Sequence, residues 1–415
     1  MSFIVAAPAS GSGKTTITLG LLRAISRNHV VRAAKSGPDY IDPRFHEAAC
    51  GQPCVNLDAW AMSPGRIRAL AAGPHPLIIE GAMGLFDGAP PNGKGATADL
   101  ARILNLPVVL VIDAAKMAGS VAPLVRGFAD HDPGVQIAGV ILNNVGSPRH
   151  ERMLRAALPD TTIFGALPRN AGLTQPSRHL GLVQAQEHTD LETYLNNVAD
   201  QVTQHIDLAA LLALDSAPMS SGQTTRITPP AQRVAIAQDR AFAFTYPHIM
   251  EDWRNAGAEI SFFSPLADER PAEADLIYLP GGYPELHAGQ IASNSTFLDA
   301  LQTTKARIYG ECGGYMVLGN ALTDADGVTH QMAGLLSLKT SFARRKLHLG
   351  YRHLTAAEGP FAGAWTGHEF HYATTIHAAG KPLFTATDAE GTDLPPMGLI
   401  QDNVFGSFAH IIDAC

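Results

Sequence analysis

The chain has 415 residues, more than the ~250–300 at which a single hydrophobic core stops growing, so two domains are expected. Apolar residues make up 46% of it, but the longest apolar run, 107–112, falls far short of the ~18 residues that suggest a membrane span, which excludes a bilayer protein. A net charge of −8 without a basic run among aromatics excludes nucleic acid as a partner, and 4 cysteines without paired spacing exclude a disulfide or zinc framework.

The opening residues carry no basic leader and run into a glycine loop, so they read as a first strand and the protein is expected in the cytoplasm. Strand-like apolar runs follow at 3–7, 30–34, 77–80, 108–112 and 135–142, with helical patterns between most of them. Such alternation predicts a parallel sheet covered on both faces, because parallel strands need crossover connections.

Directly after the first run comes Pro8-Ala-Ser-Gly-Ser-Gly-Lys-Thr-Thr16, then a helical pattern over 17–25. Strand, glycine loop and helix together form a phosphate cradle, in which backbone amides and a helix N-terminus face an anion, Lys14 adds a point charge and Thr15 offers a hydroxyl to Mg²⁺. Ser10, Gly11, Ser12, Gly13, Lys14, Thr15 and Thr16 are the expected ATP-binding residues, with Pro8 standing where the full motif has glycine. A partition-type ATPase would carry a further lysine where this chain has Ala9.

Mg²⁺ prefers oxygen ligands, so carboxylates at neighbouring strand ends should complete its site. Lys35-Ser-Gly-Pro-Asp39-Tyr-Ile-Asp42 follows the second strand, and Glu80-Gly-Ala-Met-Gly-Leu-Phe-Asp87 ends the third. Turn chemistry alone also favours Asp and Gly after strands.

Between 215 and 232 the chain becomes a Pro/Ser/Thr-rich stretch with no apolar period, the expected linker between domains at 1–214 and 233–415. Strand-like runs resume at 233–237, 259–263, 276–279 and 306–309, so the second half is also α/β, and the segment from about 340 looks richer in strands. The run 275–279 enters the glycine turn Pro280-Gly-Gly-Tyr-Pro-Glu285, suited to an oxyanion-hole amide and a substrate contact. Gly310-Glu-Cys312-Gly-Gly314 between a strand and a helix has the form of a nucleophile elbow, whose helix N-terminus is expected to lower the thiol pKa. The thiol needs a base; His410 lies near the chain's end, but His348, His353, His368 and His371 occupy the same half, and the residues alone leave the choice open.

Taken together, these segments, with Gly367-His-Glu-Phe-His-Tyr372 and Asn403-Val-Phe-Gly-Ser-Phe-Ala-His410, resemble the cobyrinic acid a,c-diamide synthases of corrinoid biosynthesis over nearly the whole chain. The resemblance implies an N-terminal domain similar to dethiobiotin synthetase and a flavodoxin-like, class I glutamine amidotransferase domain after it. It implies that Cys312 attacks glutamine with His410 raising its nucleophilicity, that Gly281, Gly282, Gly313 and Glu285 serve the oxyanion and glutamine, and that Lys35 joins the ATP-binding residues. Asp39 and Glu80 would hold Mg-ATP with Thr15, while Asp42 and Asp87 would serve the corrinoid carboxylate or its acyl phosphate. Ile412 stands where the wider amidotransferase class places Glu two residues after the histidine, so a Cys-His dyad with another orienting group is expected. The stretch 51–62 looks closer to aerobic-pathway members, whose substrate is the metal-free hydrogenobyrinic acid. A cobyric acid synthase-like enzyme, a regulatory ATPase with a non-catalytic glutamine-sensing domain, and a homodimer stay open.

Overall fold

The computed structural model describes residues 2–170, 172, 190–215 and 226–415, so most of the linker stretch, 216–225, lies outside the described residues. The chain divides into two compact units, Met1–Thr225 and Arg226–Cys415. Among the described residues no helix is long and apolar enough to cross a membrane.

Seven strands build the first unit's sheet: β1 (Ser2–Ala6), β2 (Arg32–Ser36), β3 (Cys54–Leu57), β4 (Leu77–Glu80), β5 (Val108–Asp113), β6 (Ile137–Val145) and β7 (Ile163–Pro168). Their order is β3-β2-β4-β1-β5-β6-β7, and every pairing is parallel. Strands covered on both faces must be apolar throughout, and Phe3, Ile4 and Val5 of β1 are fully buried. The order reverses at β1, where chain leaving for β2 goes one way and β5 lies on the other side. This is the crevice where open α/β sheets bind ligands, outside the carboxyl ends of the strands. β3 and β7 were not anticipated: β3 is four residues interrupted by Asn56, and β7 is broken by Gly165, so neither forms a long apolar run.

The second unit begins with β8 (Arg233–Ala237), β9 (Glu259–Phe263), β10 (Leu276–Leu279) and β11 (Arg307–Glu311). Then come β12 (Ala321–Thr323), β13 (Thr329–Gln331), β14 (Leu338–Ser341), β15 (His348–Ala356), β16 (Gly363–His371), β17 (Thr374–Ala378), β18 (Phe384–Thr387), β19 (Asp393–Met397), β20 (Leu399–Gln401), β21 (Val404–Ser407) and β22 (Ala409–Ala414). The main sheet, β20-β21-β11-β10-β8-β9, is parallel except for β20. A second, antiparallel sheet runs β19-β18-β15-β16-β22. Only Phe408 separates β21 from β22, so the chain steps from one sheet into the other there and delivers residue 410 beside the end of β11.

In the first unit, α1 (Lys14–Ser26) packs on the helix Leu191–His205 through Gly20, where an added Cβ would lie 2.5 Å from Val202 Cγ2 and 2.8 Å from Val198 Cγ1. Alanine normally gains about 1 kcal/mol over glycine inside a helix. Here overpacking against two β-branched side chains, at ~1–3 kcal/mol, should outweigh that gain. Gly20→Ala is therefore expected to lower the urea midpoint of the first unit; an unchanged or raised midpoint would show that the two helices can part freely.

Candidate functional site

β1 ends at Ala6, and the loop before α1 turns through Gly11 and Gly13, whose φ angles of 80° and 87° suit glycine. Ser12 Oγ donates to Ala9 O at 2.8 Å, and Asn143 Nδ2 donates to Ser12 O at 3.0 Å, which ties the loop to β6. Ser10 and Gly11 face solvent while Ser12 and Lys14 are buried. Lys14 Nζ donates to Met83 O at 2.6 Å, and burial lowers its pKa against the pull of Glu80. The Thr16 hydroxyl is hydrogen-bonded to Tyr194.

Glu80, at the tip of β4, is fully buried beneath this loop. Its Oε1 accepts from Thr15 Oγ1 at 2.6 Å and from Lys35 Nζ at 2.9 Å, and its Oε2 lies 2.6 Å from His46 Nε2. Burial alone would raise its pKa, but Lys35, His46 and Thr15 reverse that and hold the carboxyl far below its usual range. Lys35 also reaches Asp42 Oδ2 at 2.6 Å and Asp39 Oδ2 at 3.8 Å. Burial works against the ammonium, and the three carboxylates overcome it, so Lys35 stays charged. Asp42 opens α2 (Asp42–Cys50), and burial with Asp39 beside it raises its pKa despite Lys35.

Asp39 spends its other oxygen on the backbone amides of Ile41 and Asp42, at 2.8 and 3.2 Å, so it also closes the turn into α2. Asp87 likewise accepts from Gly84 N at 2.9 Å within its own turn. Sequence reasoning missed His46, fully buried with Nδ1 3.6 Å from Cys54 Sγ. Its signal was its place one helical turn after Asp42, on the face of α2 that meets the strand ends. The donors gathered here, a hydroxyl and carboxylates, are the hard oxygen set that suits Mg²⁺.

In the second unit Cys312 follows β11 with φ 46° and ψ −100°, and the helix Gly313–Leu318 starts behind it. Its N–H donates to Ser407 O at 2.8 Å, locking the elbow to β21. His410 and Cys312 flank Gly281: a Cβ there would lie 2.3 Å from His410 Cε1, 3.1 Å from His410 Nε2 and 3.4 Å from Cys312 Cβ. A Cβ on Gly313 would lie 3.1 Å from Gly282 N, so the two glycine turns adjoin beside the thiol. The elbow was expected to lower the thiol pKa. Instead, burial raises it, Glu285 and Glu311 add to the rise, and the Gly313 backbone hydrogen bond offsets only part.

β16 pairs with β22, placing His368 opposite His410 and the Phe370 carbonyl 4.0 Å from the Cys312 sulfur. Burial and His410 lower His368 to about 3, so this ring is neutral. Glu369 accepts from Arg352 at 2.8 Å and lies 2.9 Å from His371, and these partners overcome burial to hold it at about 2. His371 is stacked between Phe408 and His348, while His353 lies farther along β15.

Residues 3–183 match the model of the CobQ/CobB/MinD/ParA nucleotide binding domain, and residues 233–414 that of the CobB/CobQ-like glutamine amidotransferase domain. The chain is 54% identical to a hydrogenobyrinate a,c-diamide synthase of Brucella anthropi, over 100% of this chain and 98% of that protein. It is 53% identical to the protein of that name in Rhizobium meliloti and 51% identical to that in Rhodobacter capsulatus, covering 99% and 98% of this chain and 98% of each relative.

The Glu80 cluster carries a stability prediction of its own. Glu80→Ala leaves His46 and the Thr15 hydroxyl without their buried acceptor and takes one of three carboxylates from Lys35, which keeps Asp42; each buried donor left unpaired costs ~1–3 kcal/mol. Urea unfolding should register that loss in the first unit, whereas Asp87→Ala, which removes one turn hydrogen bond, should cost no more than about 1 kcal/mol.

Proposed function

The chain belongs to the hydrogenobyrinate a,c-diamide synthase family, and we propose that it converts the a and c acetate carboxylates of hydrogenobyrinic acid to amides, using ATP and glutamine. Glutamine-dependent amidation in cobalamin synthesis is what its two domains and its relatives have in common. The observation that carries the assignment of roles is the meeting of Cys312 and His410 at Gly281, a place where no side chain would fit.

In the second unit, the Cys312 sulfur attacks the side-chain amide carbon of glutamine while His410 takes the thiol proton. Because burial disfavours a free thiolate, proton transfer accompanies attack rather than preceding it. The oxyanion that forms is held by backbone amides at Gly282 and Gly313, and Glu285 faces the glutamine. His410 returns the proton to the departing nitrogen, ammonia leaves, and water cleaves the thioester to glutamate.

In the first unit, amides of residues 10–16 and the ammonium of Lys14 cradle the ATP phosphates. Thr15, Asp39 and Glu80 would hold Mg²⁺, which screens the phosphate charge when bound. Lys35 keeps Asp39, Asp42 and Glu80 at fixed positions, leaving Asp42 and Asp87 to orient the corrinoid carboxylate. A carboxylate oxygen attacks the γ-phosphorus and ADP leaves. Ammonia then attacks the acyl carbon and expels phosphate, and a second round completes the diamide.

The test uses hydrogenobyrinic and cobyrinic acids in parallel, with Mg-ATP and either amide-¹⁵N glutamine or ¹⁵N ammonium, read by mass spectrometry. The wild type should add two labelled amides from either nitrogen source. Cys312→Ala and Gly281→Ala should each lose glutamine-dependent product, by ~10²-fold or more, and keep ammonium-dependent product. Glutamine use persisting in Cys312→Ala would sink the assignment.

A further inference from the structure

The class I arrangement needs a carboxylate behind the histidine, and position 412 offers only a fully buried isoleucine. A carboxylate is nevertheless present. Glu311, the residue before the nucleophile, is buried in the second unit, and its Oε2 lies 3.5 Å from His410 Nδ1, with both side chains almost wholly out of solvent. Two further contacts fix it: Tyr278 Oη donates to Oε2 at 2.7 Å, and the Ile411 backbone amide donates to Oε1 at 3.1 Å.

We propose that Glu311 is the positioning residue of the glutaminase site, orienting His410 through Nδ1 so that Nε2 faces the sulfur. The proposal rests on the Cys312–His410 reading above. The geometry supports it from both sides of the ring, since Nε2 is the nitrogen near the Gly281 Cβ position next to Cys312, while Nδ1 faces the carboxylate. An anion behind the ring fixes the tautomer that keeps a lone pair on Nε2 and stabilises the imidazolium formed when the thiol proton arrives. Glu311 is poorly suited to act on the substrate itself, because its oxygens are engaged by Tyr278 and the Ile411 amide. Glu285 and Glu369 both act electrostatically on Cys312, but Glu369 is bound to Arg352 and His371.

Steady-state glutaminase kinetics test this. Glu311→Gln keeps the shape and removes the charge, and should lower kcat by about 10- to 1,000-fold with KM for glutamine within about two-fold, while Glu311→Asp recovers part of the loss. Wild-type kcat in Glu311→Gln overturns the proposal, as does a loss in which KM rises in step and Asp gives no recovery. If the Gln variant does not fold, histidine-¹⁵N NMR of the wild type decides: His410, assigned by its absence in His410→Asn, should be protonated at Nδ1 when neutral, and the opposite tautomer overturns the proposal. The two readings fail separately. Glutaminase surviving in His410→Asn removes the dyad itself, whereas an inactive His410→Asn beside a fully active Glu311→Gln removes only the role given to Glu311.

Discussion

A carboxylate taken out of water must be met by cations and hydrogen-bond donors, and the first unit is organised around meeting that demand at Glu80. The side chain is fully buried, yet each of its oxygens has a partner, drawn from α1, β2 and α2. One residue thus fixes the positions of a helix N-terminus, a strand end and a second helix. The same contacts hold the Thr15 hydroxyl and the Lys35 ammonium beside the glycine loop, where the proposed function would use them. The cluster also explains why Lys35 can be buried at all: Asp42, Glu80 and Asp39 together outweigh its desolvation. Stability and chemistry use one set of contacts here, so the sequence has little freedom at these positions.

The second unit answers the same demand with neutral donors. Glu311 accepts from the Tyr278 phenol and the Ile411 backbone amide, and His410 Nδ1 lies 3.5 Å from it. On the role proposed for Glu311, its charge is balanced when the histidine accepts a proton, as the thiol attacks. The structural difference matches the difference in task. On the proposed function, the first unit holds fixed charges around a polyanion, and the second creates and removes one charge per turnover.

Much of this was legible in the sequence where function and fold share a local motif. The glycine loop after β1 and the elbow at Cys312 follow from residues adjacent in the chain. The partners that complete the sites did not, because they come from elements far apart in sequence. His46 looked like one of 17 histidines until α2 was seen to bring it to Glu80 at the tip of β4. Glu311 carries no assignment in the sequence, and its proposed role depends on β21 and β22, about a hundred residues on, turning from one sheet into another at Phe408. The thiol's pKa was misjudged for a related reason. A helix N-terminus is visible locally, but the burial that outweighs it comes from the tertiary packing around Cys312.

Strand geometry explains why a carboxylate directly before the nucleophile can serve the same histidine. In a regular strand, neighbouring side chains point to opposite faces, so residues 311 and 312 could not both reach one imidazole ring. The positive φ at Cys312 breaks that alternation and swings the thiol out of the pleat, while Glu311 keeps the orientation β11 gives it. Glu311 and Cys312 then approach His410 from opposite sides of the ring. Residue 412 sits where the pairing of β22 with β16 shifts register, between Ile411 opposite Gly367 and Asp413 opposite Thr366; Ile412 is fully buried and its carbonyl lies 2.8 Å from His248 Nε2. The strained backbone at Cys312 turns the sulfur out of the pleat within a buried site, and on the role proposed for Glu311 it lets the preceding residue stand behind the histidine in place of a carboxylate after it.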